Sequence, residues 1–494
     1  MKKTMIMMMI LTLAATWGLA VTVQVDPVSG TDDGNSPFLT IPAALTSIVG
    51  ADANPDIVNL RTNGVHALSA QLVVDVDSAD GDLTIQTDPG DTGSAIIRLP
   101  GAGAPQISLN ADGDRTLLLS GLTVIGASGT GAVGGDGIQI FNSDTASGSA
   151  TINITDCVFA ANDGSDQPVP YDQQANPTTE SFPGDDWIDY FEDTQGTMTN
   201  VKISEAGDEG LIIRGGGTNG ANVTVTGDSV ISFCGGRAVQ SAFGGSGTPD
   251  IPVGNFEGSA SERIRIFGNS HTSAEPVITC YNGNMSFKYV DVVDNNDLAF
   301  RVDTDTVDSF SMECCRVANN GLSAADPNQG GESIYFLWVT GDLLAATISK
   351  CTFHDSNKDV TIVCTADVTS TIDFTDCIFT GAGDQIDIAA ASTAVVNFGT
   401  CALVSQNPDA LGSPIFNDRA ASSETGTINK SPWYVSTSFD YTDPQNPDFL
   451  RVTDRNSEYM TGSSTGGELT GGACLPVVNL PPPLAVSTPW NLYE

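Results

Sequence analysis

The sequence predicts an all-β solenoid of stacked coils, and three observations carry that expectation. A short unit recurs: Cys157-Val-Phe159-Ala-Ala-Asn162 returns as Cys315-Arg-Val317-Ala-Asn-Asn320, Cys351-Thr-Phe353, Cys377-Ile-Phe379 and Cys401-Ala-Leu403, with Ile264-Arg-Ile266 and Asp291-Val-Val293 placed in the same slots. The spacing is regular: the slots fall 27 residues apart from 264 to 291, 24 from 291 to 315, 26 from 351 to 377 and 24 from 377 to 401. The one interval of 36, from 315 to 351, contains the polar stretch Ala324–Gly331, as a coil with an inserted loop requires. Between slots lie short strands with apolar residues at alternate positions, bounded by Gly, Asp and Asn, and no amphipathic helices separate them. Repeats of this kind stack into a quasi-one-dimensional array.

Taken in order, residues 1–20 read as a secretory signal peptide: Lys2 and Lys3, an apolar run from Met5 to Ala15, and the small-x-small pattern Gly18-Leu-Ala20. The apolar run is shorter than the ~20 residues of a spanning helix, so no transmembrane segment is expected in the mature chain. The expected location is outside the cytoplasm, secreted, periplasmic or attached to the cell surface. Residues 21–55 form an entry loop and a short cap helix from Ile41 to Val49, with Pro42 in its first turn. A cap keeps the first coil from exposing its apolar interior and an unpaired edge. Coils occupy 56–410, with strands at Ile57–Leu60, Leu83–Ile85, Leu117–Val124, Gly137–Ile140 and Thr151–Ile154. A Pro- and Asp-rich insertion, 162–200, breaks the rhythm; excursions from a rigid scaffold often carry function. An irregular closing segment, 411–474, and a Pro-rich tail, 475–494, complete the chain.

The entry segment, Gly30-Thr-Asp32-Asp33-Gly34-Asn-Ser-Pro37-Phe38-Leu-Thr40-Ile41, together with the Ala-containing helix after it, resembles the entry of secreted right-handed parallel β-helix proteins of the pectin-lyase-like family. The resemblance implies a right-handed parallel β-helix with its N-terminal end capped by the helix and its C-terminal end closed by an irregular strand. It specifies a fold and not a substrate. Lyases of this fold use Lys or Arg as the base beside a uronate whose carboxylate is neutralised by calcium; hydrolases of this fold use Asp or Glu pairs.

Charge narrows the partners. The chain has 19 basic and 60 acidic residues; without Lys2 and Lys3 the balance is 17 − 60 = −43. Polyanions are repelled by such a surface, which argues against nucleic acid and against bare uronate polymers; of the polysaccharides the resemblance implies, neutral or calcium-bridged ones remain. Of the acidic residues 47 are Asp and 13 are Glu, a bias that suits turns and also calcium. Five of the ten Cys occupy the repeat slot, where successive rungs lie about 4.8 Å apart, so they are expected to pack as a buried thiol ladder; bridging of adjacent rungs stays open.

Several patterns are decoys. Gly129-Thr-Gly131-Ala-Val-Gly134 precedes a strand instead of opening a helix, and Gly462-Ser-Ser464-Thr-Gly466 lies in a Ser/Thr/Gly stretch. His66, His271 and His354 form no ligand-spaced pair. The best catalytic constellation is Lys202, Glu205, Asp208, Glu209 and Arg214, just after the insertion. Gly207–Gly215 resembles the Glu-to-Arg strand of alginate-lyase-like β-helices, and Asn328–Ile334 resembles their Asn-Gly-Gly-Glu opening, with Phe336 where Arg is expected. The bland alternative for these charges is salt bridging on a coil's outer face. Asp185 and Asp186 form a hydrolase-like pair; Trp187, Tyr190 and Phe191 are candidate sugar-stacking rings; Asp163, Asp166, Asp185, Asp186 and Asp189 are candidate calcium ligands. The leading expectation is a carbohydrate-associated binding or structural solenoid. The alternative is a calcium-dependent polysaccharide lyase or a glycoside hydrolase.

Overall fold

The chain, seen in a computed structural model, is described over residues 20–48 and, with short interruptions, 54–403, together with 416–418 and 423–425. The expected leader up to residue 19, the loop 324–331, most of the closing segment and the tail 475–494 lie outside the described residues.

Each coil gives one short strand to each of three sheets of fourteen, twelve and twelve strands, every neighbouring pair parallel. This is a right-handed parallel β-helix, as the sequence predicts. The first sheet begins with Val21–Val25, which pairs in register with Asp56–Leu60, so stacking starts before the cap. The helix Ile41–Ile48 buries Ile41, Ala44, Leu45 and Ile48, the one stripe that helical periodicity puts on a single face, over the end of the stack. Among the described residues no helix is long and apolar enough to cross a membrane.

The corner between first- and second-sheet strands is made by a single left-handed residue; Tyr289, Cys314 and Lys350 hold it in later coils, while the earlier coils use the residue types for which it costs least. Gly121, Asp156, Asn200 and Gly227 hold it in four coils, with φ of 67°, 53°, 54° and 68°. Gly, Asn and Asp are the residues that visit this region most readily.

Inside, the repeat slot forms one column. Phe159 pairs with Ile203, then Ile231, Ile266, Val292, Val317, Phe353 and Phe379. The rings of Phe353 and Phe379 stack 4.8 Å apart. One repeat differs from the sequence reading by a single residue: Val290 and Val292, not Asp291 and Val293, occupy the slots, since Ile264 pairs with Val290 and Ile266 with Val292. Side chains alternate faces along a strand, so the shift turns Val293 outward, where it packs with Val230, Phe267 and Ala318. It also takes the Asp291 carboxylate out of the apolar interior and places it between Arg263 and Arg316. The slot cysteines Cys157, Cys315, Cys351, Cys377 and Cys401 are buried free thiols; outside the ladder, Cys314 is disulfide-bonded. A second internal ladder runs from Asn269 to Asn295 (3.0 Å) to Asn320 (2.8 Å), each amide donating to the next rung.

Candidate functional site

Within the stretch 162–200 read as an insertion, Ser181–Pro183, Ile188–Tyr190 and Thr194–Thr199 are strands. Residues 162–180 are the excursion, and the chain that follows them returns to the coil bearing Asp185 and Asp186. The loops entering successive third-sheet strands then stack: Gly137 donates to the Asp186 carbonyl (2.7 Å), Trp187 to Glu209 (3.0 Å) and Gly210 to Arg237 (3.0 Å). This sets Asp136, Asp186, Glu209 and Arg237 in one row at the strand spacing. A second row runs through Asp185 and Asp208, the Asp208 amide donating to the Asp185 carbonyl at 3.1 Å. Glycine precedes each acidic step because nothing larger fits: a Cβ on Gly184 would collide with the Gly134 carbonyl, and one on Gly207 with the Gly184 carbonyl.

Five carboxyls therefore converge. Asp136, Asp185 and Asp186 form one group, and Asp185, Asp208 and Glu209 another, each with ligand oxygens within 4.8 Å of one another; either set could hold a metal ion. Asp185 is exposed at the rim, while Asp136, Asp186 and Glu209 are buried. Burial and the neighbouring Glu209 push the Asp186 carboxyl up to about 10. Burial also raises Glu209, to about 7, against the opposing pull of its hydrogen bond with Asp186 and of Arg237. The two carboxyls interact directly, and the Arg237 guanidinium, bonded to Glu209, favours the charged form of Glu209 over that of Asp186. Arg237 also reaches Glu275 at 3.1 Å.

The floor beside this wall is the outer face of the third sheet. Arg214 grips Asp189 with three hydrogen bonds of 2.6–2.9 Å and lies 4.8 Å from the Phe191 ring centroid. Burial, outweighing Arg214, leaves Asp189 raised to about 6. Arg214 in turn is held in its charged form by Asp189, Asp186 and Asp136, which outweigh its own burial.

The structure thus gathers Asp185, Asp186, Asp189, Phe191, Asp208, Glu209 and Arg214 from the residues singled out in the sequence, leaves Glu205 buried at the corner just before Asp208, and disperses the others. Lys202 lies on the outer face of the second sheet, its Nζ 2.8 Å from Asp228 and under the Tyr171 ring. Asp163 caps a local turn by accepting from the Ser165 amide (2.7 Å), and Asp166 pairs with Arg98 (2.6 Å). Trp187 and Tyr190 point inward: Trp187 is wholly buried 5.9 Å from Phe159, and the Tyr190 hydroxyl donates to the Ile152 carbonyl (3.0 Å). Phe191 alone of the three rings is outward, against Phe141. Asp136 was missed. Its signal was present, because Gly135-Asp136-Gly-Ile138, Gly184-Asp185-Asp186-Trp-Ile188 and Gly207-Asp208-Glu209-Gly-Leu211 are one motif at successive coils.

No family model matches the chain, and no curated protein does. Solved structures similar to it include the enzymatically active domain of bacteriophage CBA120 tailspike protein 2, with 13% identity, a TM-score of 0.42 and coverage of 78% of this chain. The chain spans 48% of that domain's length. The catalytic unit of a GH87 alpha-1,3-glucanase from Streptomyces thermodiastaticus strain HF3-3 shows 12% identity and a TM-score of 0.40, over 84% of this chain and 69% of that one. The pectate lyase Pel9A shows 13% identity and a TM-score of 0.37, over 91% and 93%. At these distances the reading of the site rests on its own geometry.

Proposed function

We propose that the chain is an extracellular polysaccharide-cleaving enzyme that hydrolyses glycosidic bonds at the carboxyl wall, in preference to a purely binding or structural role. The observation that carries this reading is the meeting of a buried Asp186, whose carboxyl burial and Glu209 push above its ordinary range, with the exposed Asp185 beside it and Asp208 one rung away. Glycoside hydrolysis needs a carboxylic acid to protonate the leaving oxygen and a carboxylate to activate water or attack, and environments that push two carboxyls apart in pKa supply both. Asp186 serves as the acid. Asp185 and Asp208, nearer solvent, serve as the base, and Glu209 keeps the proton on Asp186 through its own negative charge. Lyase chemistry needs an uncharged basic group, whereas Arg214 is held charged by its bond to Asp189 and Lys202 is on another face.

A second reading follows from the two overlapping carboxylate sets. Hard oxygen donors of this kind suit calcium. Asp136, Asp185 and Asp186, or Asp185, Asp208 and Glu209, would hold the ion, which would neutralise the wall and bridge it to an acidic sugar.

One experiment separates the readings. Purified protein is incubated with neutral polysaccharides and with polyuronates, with calcium or chelator, while reducing ends and unsaturated-uronate absorbance are followed. Hydrolysis predicts reducing ends without unsaturated product, lost by at least ~100-fold in Asp186→Asn. Glu209→Gln removes the negative neighbour that raises Asp186, so it should move the alkaline limb of the pH profile to lower pH. Unsaturated product that requires calcium would replace hydrolysis with the lyase reading. No product from any polymer would return the protein to the binding class.

A further inference from the structure

Glu205 is buried, with 1% of its surface exposed, and the proposed chemistry does not use its carboxyl. It occupies a left-handed corner at φ 61°, a conformation that costs a Glu energy and persists only where the surroundings fix it. Three contacts fix it. Its amide donates to the Ser232 carbonyl at 3.1 Å, and its carboxyl accepts the Ala175 amide from the later part of the excursion. Its backbone carbonyl accepts the Trp187 indole Nε1–H at 3.0 Å, a bond shared with the Ser204 carbonyl at 2.7 Å. Ala175 and Trp187 bracket the span that carries Asp185 and Asp186.

We propose that Glu205 is a positioning residue that clamps both ends of this span, holding Asp185 and Asp186 in the carboxyl wall. The inference rests on the hydrolytic reading for its consequence but not for its test. Glu205 is faced by Glu180 from the excursion and by the Cys234 thiol from the next coil, with Asp186 and Glu209 also near Cys234. None of these is positive. Burial, together with Glu180, raises the Glu205 carboxyl from 4.5 to about 8 against the pull of the Ala175 amide. A group whose pKa is raised on closing favours the closed clamp when protonated. The advantage is complete below the open-state value and shrinks as pH rises from about 4.5 to about 8, where it levels off.

Hydrogen exchange at the Ala175 amide and the Trp187 indole tests this in wild type and Glu205→Gln, which keeps the acceptor and cannot ionise. The ratio of wild-type to variant exchange should grow with pH by up to about tenfold per unit across that window. Equal pH dependence in the two proteins would overturn the clamp, whether or not any polymer is cleaved. If the protein proves to be a hydrolase, the fall of kcat between about pH 4.5 and about 8 should be shallower in Glu205→Gln than in wild type, while the alkaline limb set by Asp186 stays. Glu205→Leu should lower kcat more than it changes KM, and a loss confined to KM would count against positioning.

Discussion

Replacing Asp291 by Ala is the sharpest test of the register on which the coil assignment depends. Asp291 is wholly buried on the outer face of the second sheet, where its Oδ1 accepts from Arg263 Nε at 2.8 Å and from Arg316 Nε at 2.7 Å. A third bond joins Arg316 Nη2 to Oδ2. Burial pushes this carboxyl up, but Arg263 and Arg316 outweigh it and hold Asp291 below the ordinary range. Deleting one partner of a buried ion pair costs about 3–5 kcal/mol, because the remaining charge stays desolvated. Arg263 Nη2 keeps its bond to the Cys314 carbonyl at 2.7 Å, which places the expected cost toward 3 kcal/mol. A depressed carboxyl contributes stability above its unfolded value, near 3.9, and loses it as pH falls through the folded value. Urea unfolding, with hydrogen exchange across 264–318 to catch local opening, should therefore show a constant gap between wild type and variant near neutrality and a closing gap in acid. A difference below about 0.5 kcal/mol, typical of a solvated surface residue, would refute the reasoning. So would a gap that ignores pH.

Phe353→Ala should cost about 3–5 kcal/mol by opening a cavity in the aromatic column, read as an earlier thermal transition of the neighbouring coils. Gly207→Ala should distort the carboxyl wall, because its Cβ meets the Gly184 backbone; any hydrolysis should fall while the far-UV spectrum stays that of a β-protein, and full activity would show that the wall tolerates the shift.

The coil architecture was legible because a parallel stack repeats its side-chain requirements at every turn. The slot residues Phe159, Val317, Phe353 and Phe379 mark the interior column in the sequence itself. The Asp291 repeat was misplaced by one residue because Val290-Asp-Val292-Val293 offers apolar alternation in either phase, and only cross-coil pairing decides between them. At the site, Asp185, Asp186, Asp208 and Glu209 stood out as acidic steps, yet their relation to Asp136 was hidden by the 48 residues between Asp136 and Asp185. Trp187 and Tyr190 read as sugar-stacking rings because they neighbour carboxylates in sequence. In a strand, neighbours point to opposite faces, and Ile188–Tyr190 sends Ile188 and Tyr190 inward and Asp189 outward.

The glycines that pack each acidic step against the one before have a bearing on how such a molecule can change over generations. Their spacing is set by backbone contact between three consecutive turns, so the wall is indifferent to how many turns lie above or below it. Whole repeats can be duplicated or lost toward either pole, altering the length of the outer face, while the carboxyl wall is carried along unchanged. Inserting even one turn between Gly184 and Gly207 would instead double the gap between neighbouring carboxyls. Length is open to drift in this architecture; the phase of those three turns is not.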